Sequence, residues 1–352
     1  MIDKAARFIQ NCDKNTAVIY DKDGDGVGAA AVVAKTLKKL YGKYPKAFPR
    51  ESGSCLVTES LIDKVIGKFD NIIFVDIAAD ENSERIVKLT ENSKVMVLDH
   101  HQVHKDMNQD GVLHVNSSMM ESNISSTRYC ASKMAFDACS LICDIKELDW
   151  LAGLGIVNDK AEKEWSNFME KMYERNKISS SEFSTINNII NAPFMSSKDD
   201  NNHLGYEACL NSTPRQILEG KTKEAETLWE LHKTVEDKIA STIKNWEKSA
   251  EIDNNKKIIL LEIETEFSIS SVISTKLSFE RPNYTVMVAR KNGDYVSASL
   301  RRQDGTVNCG KLAKKLTEGI ENSSGGGHVP AAGMKMLSKD WNEIKRRIRE
   351  IL

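Results

Sequence analysis

The sequence predicts an α/β protein. We expect an N-terminal doubly wound, mainly parallel sheet domain and a smaller C-terminal α+β domain, joined by a long helix. In the first part of the chain, short runs rich in Val, Ile and Phe recur between helical patterns. These runs do not alternate in polarity, which is typical of parallel strands buried on both faces. In the last part, an Asn292-Gly293 pair between β-rich arms predicts a hairpin.

The apolar runs of the first domain are the expected strands. They alternate with patterns such as VGAAAVVAKTLKKLYGKY (27–44), whose lysines gather near the C-terminal end, as the helix dipole favours. Residues 129–160 also have helical patterns, and the Asn-, Asp- and Ser-rich residues 191–205 predict a loop. The four expected strands are TAVIY (16–20), NIIFVD (71–76), KVMVLD (94–99) and GVLHVN (111–116).

A long helix from about residue 214 is the expected connector, because apolar residues recur on one face of a charged segment from Leu228 to Trp246. After it we expect a strand at 256–264, the hairpin, a short helix, a glycine-rich stretch at 323–333 and a final helix capped by Ser338. The predicted division is therefore 1–195 for the first domain, 196–252 for the loop and connector, and 253–352 for the second domain.

Composition describes an ordinary globular chain of 352 residues, 40% hydrophobic and 28% charged, with formal net charge -2. A protein that coats nucleic acid generally would be strongly basic, so any phosphate must be neutralised locally, and metal ions are the obvious means. The first residues carry no apolar signal core, and no stretch is long enough to span a bilayer, so no membrane partner is expected. Seven scattered cysteines favour reduced thiols and a cytoplasmic location.

Acidic residues follow three consecutive predicted strands. Asp21, Asp23 and Asp25 follow the first strand, while Asp76 and Asp99 end the next two. One acid at a strand end is commonplace as a helix cap, and Asp80 is expected to be such a cap. Three neighbouring strands that deliver acids to one sheet edge predict a ligand site instead, because ligands of doubly wound sheets bind outside the carboxyl ends of the strands.

The DKDGDG stretch also resembles the start of an EF-hand calcium loop. That loop needs a bidentate carboxylate at its twelfth position. Val32 stands there and Ala29 stands at the ninth position, while the preceding residues have the pattern of a strand rather than a helix. The sequence therefore excludes a calcium sensor of this type.

Further motifs accompany the acids of Asp21–Gly26 and Asp76. They are Asp99-His100-His101, Asp159 after a Gly-rich apolar helix, Gly325–His328, and Ser299 with Arg301. Together these motifs resemble the DHH phosphoesterase family on its RecJ-like side, over nearly the whole chain. The family's motifs are, in the same order, an acid-x-Asp-x-Asp-Gly stretch, an aspartate ending a strand, an Asp-His-His triplet, an aspartate after a Gly-rich apolar helix, and a C-terminal Gly-Gly-Gly-His signature with an upstream Ser-x-Arg.

The resemblance implies a two-metal phosphodiesterase. Two divalent ions neutralise the phosphate and activate a bridging water, and carboxylates must surround them. Asp76 is the expected bridge and Asp23 the ligand of one ion. The other ion is assigned to Asp25, His100 and Asp159. Because most of these ligands are oxygen atoms, the expected cofactor is two Mn²⁺, with Mg²⁺ as a substitute.

Other residues receive supporting roles from the same resemblance. His101 is expected to face the substrate phosphate, and Asp99 to orient an imidazole. Asp21 is either a further ligand or a carboxylate that supports one. In the second domain, the glycine backbone can approach an anion closely. The substrate-binding residues are expected to be Ser299, Arg301, Gly325, Gly326, Gly327 and His328.

The expected function is a manganese-dependent exonuclease that releases nucleoside monophosphates from single-stranded DNA or RNA, with a possible protein partner in replication or repair. The chain is too short for the extra domains of bacterial RecJ and resembles the compact archaeal RecJ-like nucleases, so a 3′-to-5′ polarity is favoured. Two alternatives remain open: a nanoRNase or cyclic-dinucleotide phosphodiesterase, and a non-catalytic replisome scaffold.

Overall fold

The computed structural model divides the chain into two compact units, each described here by itself. The first contains residues 1–194 and 198–232, and the second contains residues 195–197 and 233–352. The predicted three-part division at residues 195 and 252 stays a prediction beside this two-part division. The residues that the structure describes are 1–13, 15–51, 57–121, 123–196 and 201–352.

The first unit is built on a five-stranded parallel sheet, which confirms the predicted fold class of this part of the chain. The strand order is β2-β1-β3-β4-β5, so the order reverses between β1 and β3. A reversal of this kind opens a crevice at the carboxyl ends of the two strands. The strands are β1 Thr16–Tyr20, β2 Lys46–Pro49, β3 Asn71–Val75, β4 Lys94–Asp99 and β5 Leu113–Asn116.

Strand β2 has no counterpart among the predicted strands. Its sequence KAFP contains neither an apolar run nor a clear alternation, and it ends in proline. Proline is tolerated there because β2 is an edge strand, which needs only one set of ladder hydrogen bonds.

Helices cover both faces of this sheet, because successive strand residues feed two separate apolar cores. Val18 and Ile73 belong to the core under α1, α2, α5 and α6, whereas Ala17 and Ile72 belong to the core under α3 and α4. The helices of the first unit are α1 Ile2–Gln10, α2 Gly24–Tyr41, α3 Glu59–Val65, α4 Ser83–Leu89, α5 Ala131–Ser140, α6 Asp149–Asn158, α7 Ser166–Asn176, α8 Ser180–Met195, α9 Leu204–Asn211 and α10 Pro214–Leu218.

The connector helix α11 spans Lys223–Ser249 and starts later than predicted. Thr213 caps the separate short helix α10 through a capping box with Gln216, and Gly220 follows with φ 63°. A left-handed glycine ends a helix, so α10 and α11 cannot be continuous. Leu228, Val235, Ile239 and Trp246 of the predicted apolar stripe are buried, whereas Leu231 and Ile243 are half-buried.

The second unit carries a six-stranded mixed sheet of order β10-β11-β9-β8-β7-β6. The predicted β8–β9 hairpin is confirmed, but its turn is shifted by one residue. Asn292 ends β8 and pairs with Tyr295, so the two loop residues are Gly293, which has φ 58°, and Asp294. Its elements are β6 Ala250–Asp253, β7 Ile258–Ile263, α12 Ser270–Glu280, β8 Thr285–Asn292, β9 Tyr295–Arg301, α13 Cys309–Thr317, β10 Ser324–Gly327, β11 Ala331–Leu337 and α14 Trp341–Ile351.

The predicted loop at 191–205 is wrong in part. Helix α8 continues through Asn191–Met195, because Ala192 and Pro193 are buried and proline loses only the one bond that its missing N–H would make. Residues 197–200 of that predicted loop lie outside the described residues, and α9 begins at Leu204. The glycine run forms an edge strand, β10, which pairs with β11.

Two predicted helix caps are wrong. Asp80 accepts a hydrogen bond from the Lys105 N–H at 2.9 Å and another from the His104 N–H, so its carboxylate holds the chain after β4. Ser338 opens a short 3₁₀ turn, and α14 begins at Trp341. In the part of the chain that the structure describes, no helix has the length and apolar character needed to cross a bilayer.

Candidate metal centre

His100 lies among three carboxylates. Its Nε2 is 3.4 Å from Asp76 Oδ1, 3.4 Å from Asp159 Oδ2 and 3.8 Å from Asp25 Oδ2. These side chains come from the first turn of α2, which follows β1, from the carboxyl ends of β3 and β4, and from the end of α6. With His101 they form two groups whose atoms can hold a metal ion: Asp25, His100 and Asp159 in one, and Asp76, His100 and His101 in the other.

Asp76 reaches this site from a strained backbone position. It follows β3 directly with φ 57°, in the left-handed region. A non-glycine residue there costs on the order of 1–3 kcal/mol and is found most often at functional sites. The Asp76 N–H donates to the Leu98 carbonyl at 3.0 Å, which helps to hold this turn against β4.

Asp23 begins α2 and closes its first turn. Its Oδ1 accepts hydrogen bonds from the N–H groups of Asp25 and Gly26, both at 3.1 Å, as an N-cap residue does. Its Oδ2 accepts from Asn158 Nδ2 at 3.0 Å. A Cβ at Gly26 would stand 2.3 Å from the Asp21 carbonyl oxygen, so this turn requires glycine there.

Asp25 is fixed by the start of another helix. Its two oxygens accept hydrogen bonds from the N–H groups of Ala131 at 2.7 Å and Ser132 at 2.8 Å, which open α5. Amides at a helix N-terminus favour a charged carboxylate. Helix α6 also passes close by, since a Cβ at Gly155 would stand 1.8 Å from Asp25 Oδ1. No sequence pattern indicated this contact.

Asp159 stands at the C-terminal end of α6 and carries an unpaired oxygen. Its Oδ2 is buried without a hydrogen-bond partner among the described residues, and so is His100 Nδ1. Burial, followed by repulsion from Asp25 and then Asp23, raises the pKa of Asp159 to about 8. An unpaired buried carboxylate oxygen that faces an imidazole nitrogen is a position that a cation would satisfy.

The other carboxylates also repel one another at close range. Burial, and then the charges of Asp21 and Asp25, raise the pKa of Asp23 to about 6. Burial, and then Asp25 and Asp23, raise the pKa of Asp76 well above its usual value. Divalent cations remove such repulsion, and oxygen ligands with one or two imidazoles suit Mn²⁺ or Mg²⁺. The residues present therefore fit a metal centre.

His101 is bound to Asp99, the first residue of the same triplet. His101 Nδ1 lies 2.7 Å from Asp99 Oδ1, and its N–H donates to Asp99 Oδ2 at 3.2 Å. This hydrogen bond to Asp99 is the main cause that raises the pKa of His101 to about 9. In the protein without bound metal ions, His101 is therefore cationic at neutral pH. Its ring is about half exposed, at 47% of the side chain.

Asp21 lies beside the centre and is held by a cation. Arg50 Nη2 lies 2.8 Å from Asp21 Oδ1 and 2.9 Å from Oδ2, and the Lys22 N–H donates to Oδ1 at 2.6 Å. Asp21 and Asp23 are absent from both groups of metal-binding atoms, although Asp23 adjoins Asp76. This placement favours the supporting role for Asp21 over direct ligation.

In the second unit, Arg301 is engaged with α12. Its Nη2 donates to Ser271 Oγ at 2.8 Å and its Nε to Thr275 Oγ1 at 3.2 Å, so both hydroxyls orient the guanidinium. Ser299 and Gly326 pair with opposite sides of Gly333, which places them in one row across the sheet. No side chain stands between them in that row.

Two of the three glycines of β10 are required by close packing, which leaves no space for a Cβ. A Cβ at Gly325 would stand 2.5 Å from the Ala313 carbonyl oxygen of α13, and one at Gly327, which has φ 144°, would stand 2.5 Å from the Ala331 carbonyl oxygen. Gly326 is open by comparison, with only a Lys314 side-chain carbon at 3.8 Å. The exposed His328 follows directly.

Sequence reasoning missed the residues that orient the acids. They share one task, which is to bond the backbone or carboxylate of a motif residue. Only Asn158, next to a motif aspartate, carried a sequence signal; the others come from distant segments. These residues are Arg50, Arg128, Asn158 and Asn191.

Comparison with protein families settles the membership of the chain. A model of the DHH family, N-terminal domain, matches residues 15–161, and a model of the DHHA1 domain matches residues 254–352, together more than half of the sequence. The chain belongs to the DHH family. The predicted resemblance to the DHH family is confirmed.

Solved structures share this fold over almost the whole chain at low identity. Thermus thermophilus RecJ in complex with Mn²⁺ has a TM-score of 0.74 at 16% identity, over 99% of this chain and 54% of that one. An exonuclease RecJ bound to manganese has 0.71 at 18%, over 99% and 93%. The DHH domain of a member of a family of ribosomal proteins has 0.74 at 16%, over 100% and 90%.

This chain thus spans about half the length of the Thermus RecJ chain. A search of curated protein sequences finds no match. At these identities the structural likeness establishes the fold. It confirms the predicted fold class, a parallel α/β sheet domain followed by a smaller α+β domain with a mixed sheet.

Proposed function

We propose that this DHH protein is an exonuclease that uses two Mn²⁺, replaceable by Mg²⁺, to release nucleoside monophosphates from single-stranded DNA or RNA. The observation that carries the proposal is the convergence of Asp25, Asp76 and Asp159 within 3.8 Å of His100 Nε2. Divalent ions bound there supply charge neutralisation for a phosphodiester and lower the pKa of a bound water.

The chain's own residues divide that work. Asp25, His100 and Asp159 form one ligand group, and Asp76 lies in the other group and adjoins Asp23. Asp76 is the proposed bridging ligand because it adjoins Asp23 and lies 3.4 Å from Nε2 of His100, the residue that belongs to both groups. Asp23 and Asp76 both have raised pKa values, so a bound cation would favour their charged forms.

His101 suits contact with phosphate better than ligation. A metal ligand must be a neutral imidazole, whereas Asp99 raises the pKa of His101 to about 9. A cationic, half-exposed imidazole beside the carboxylates can donate to a phosphate oxygen and stabilise the charge that develops during hydrolysis. Asp99 fixes the ring through Nδ1 and leaves Nε2 for the substrate.

The second unit is proposed to bind the substrate strand. Arg301, His328 and Ser299 supply polar groups for a phosphate or terminal nucleotide, and the row through Gly326 leaves room for close approach. Ser271 and Thr275 already orient the guanidinium, which lowers the entropy cost of binding. The weak preference for 3′-to-5′ digestion remains a prediction, and so does the docking of a replication or repair protein.

The deciding experiment is digestion of oligonucleotides labelled at either end, as DNA and as RNA, with Mn²⁺, Mg²⁺ or a chelator. We expect mononucleotides from one end, no product with chelator, and loss of more than about 10²-fold in Asp76→Asn, because a bridging ligand is removed. Asp149→Asn is the matched control, since Asp149 is equally buried in the same unit and pairs with Arg175.

The same gels separate the alternatives. A preference for dinucleotides over longer oligonucleotides would favour the nanoRNase or cyclic-dinucleotide phosphodiesterase. No hydrolysis of any substrate, with Asp76→Asn indistinguishable from the unaltered protein, would favour the scaffold. Two observations disfavour the scaffold. Four buried or half-buried acids gather with a histidine, and Asp76 keeps a strained backbone conformation, and a site without function requires neither.

A further inference from the structure

Arg128 joins two parts of the metal centre that are far apart in the chain. Its Nη1 donates hydrogen bonds to the carbonyl of Asp159 and, at 2.8 Å, to the carbonyl of Lys160. Three residues later in the chain, the N–H groups of Ala131 and Ser132 hold the carboxylate of Asp25. One short segment therefore bonds to both Asp25 and Asp159, the two carboxylates of one ligand group.

The bonded carbonyls belong to the end of α6. Lys160 has φ 55°, the Ala161 N–H donates to the Ile156 carbonyl at 2.8 Å, and the Lys160 N–H donates to the Val157 carbonyl at 3.2 Å. This is a Schellman motif, and it leaves the carbonyls of the last turn open to an outside donor. A guanidinium suits that place because a cation is favoured at a helix C-terminus.

The backbone of Arg128 is held by a hydrogen bond from Trp165. Trp165 Nε1 donates to the Arg128 carbonyl at 2.8 Å. The Trp165 ring lies 4.2 Å from the Lys133 ammonium, and Lys133 forms an ion pair with Asp137 within α5. The backbone of Arg128 is therefore held by a ring that itself packs against α5.

We infer that Arg128 is a positioning residue that sets where Asp159 stands relative to Asp25, and thereby sets the affinity of this ligand group for a divalent ion. The inference deepens the proposed function and rests on its metal centre. Arg128 touches neither carboxylate group of the pair, so it acts through the backbone of Asp159. Partners of this kind typically contribute about 10- to 100-fold to metal affinity.

The test is a calorimetric titration of the full chain with Mn²⁺, in the absence of substrate. Arg128→Ala is expected to weaken Mn²⁺ binding by about tenfold or more, and Arg128→Lys to recover part of it, because an ammonium can reach one carbonyl but not both. Hydrolysis by Arg128→Ala is expected to recover as Mn²⁺ is raised.

Arg347→Ala is the matched control. Arg347 is also half-buried, and its Nη1 likewise donates to two carbonyls at the end of a helix, those of Leu316 at 3.1 Å and Glu318 at 2.6 Å, but in the second unit. It should lower the thermal unfolding temperature without changing Mn²⁺ affinity. If Arg128→Ala fails to fold, Arg128→Lys decides the matter by the same titration.

Unchanged Mn²⁺ affinity in a folded Arg128 variant would overturn the inference and leave the proposed function standing. An unaltered protein that binds Mn²⁺ but hydrolyses no oligonucleotide would overturn the proposed function alone, provided Arg128→Ala still weakens binding. An unaltered protein that binds no Mn²⁺ would overturn both.

Discussion

The Asp99 carboxylate lies 2.7 Å from Nδ1 of His101 and also accepts the backbone N–H of the same residue. Two members of one triplet thus have different tasks. Asp99 is only 1% exposed, whereas the His101 ring reaches solvent. The buried carboxylate keeps an exposed imidazole charged and oriented.

Replacing Asp99 with Asn should lower the pKa of His101 from about 9 towards its usual value, because the carboxylate that stabilises the imidazolium is lost. An NMR titration of the His101 ring measures this directly. The unaltered protein holds the proton through neutral pH and loses this contribution to stability as pH rises through about 9. An unchanged His101 titration in Asp99→Asn would contradict the assignment.

The metal-free protein should lose stability as pH rises from about 4 to about 8. The pKa values of Asp23 and Asp159 are raised to about 6 and about 8 in the folded state, so the unfolded chain releases these protons first. Alkaline pH therefore favours unfolding of the metal-free form. Added Mn²⁺ should raise the unfolding temperature more at pH 8 than at pH 5, as measured by circular dichroism with chelator as the reference. An equal shift at both pH values would argue against this coupling.

Gly155→Ala should disrupt the metal centre although it replaces none of the proposed metal ligands. The new Cβ would stand 1.8 Å from Asp25 Oδ1 and 2.2 Å from Ser132 Oγ. We expect a loss of about 1–3 kcal/mol in unfolding free energy, typical of overpacking, and weaker Mn²⁺ binding.

Gly153→Ala is the control for that substitution in the same helix. Its Cβ would meet the end of the Met172 side chain and the Phe183 ring at 3.0 Å, away from Asp25. It should leave Mn²⁺ affinity unchanged, whatever its effect on stability. Equal Mn²⁺ affinity in the two variants would show that Gly155 has no special relation to Asp25.

Asp21→Asn should reduce hydrolysis less than Asp76→Asn. Asp21 is bonded to Arg50 on both oxygens, whereas Asp76 lies 3.4 Å from His100 Nε2. We expect a loss of about 10- to 100-fold for Asp21→Asn, as for other residues that support a ligand. Rates of product release at saturating Mn²⁺ compare the two variants, and a larger loss in Asp21→Asn would assign direct ligation to Asp21.

How much of the structure could be predicted from sequence depends on how far apart in the chain the interacting residues lie. The runs at Thr16–Tyr20, Asn71–Val75 and Lys94–Asp99 appear as strands because burial on both faces leaves a local apolar signal. Strand β2 leaves no such signal, since an edge strand of four residues is held by its neighbour β1. Asp80 and Ser338 were misassigned because their partners, at 104, 105 and 293, are distant in the chain.

Local patterns were enough to predict that acids would follow successive strands and meet at one sheet edge, because parallel strands must end on the same side. They were also enough to predict the DHH family, through motifs that stand in order along the chain. Packing of the folded unit selected which acids surround His100, paired Asp21 with Arg50, and fixed Asp25 against α5 and Asp159 against Arg128. Those contacts join segments that are in some cases more than a hundred residues apart, and no local pattern encodes them.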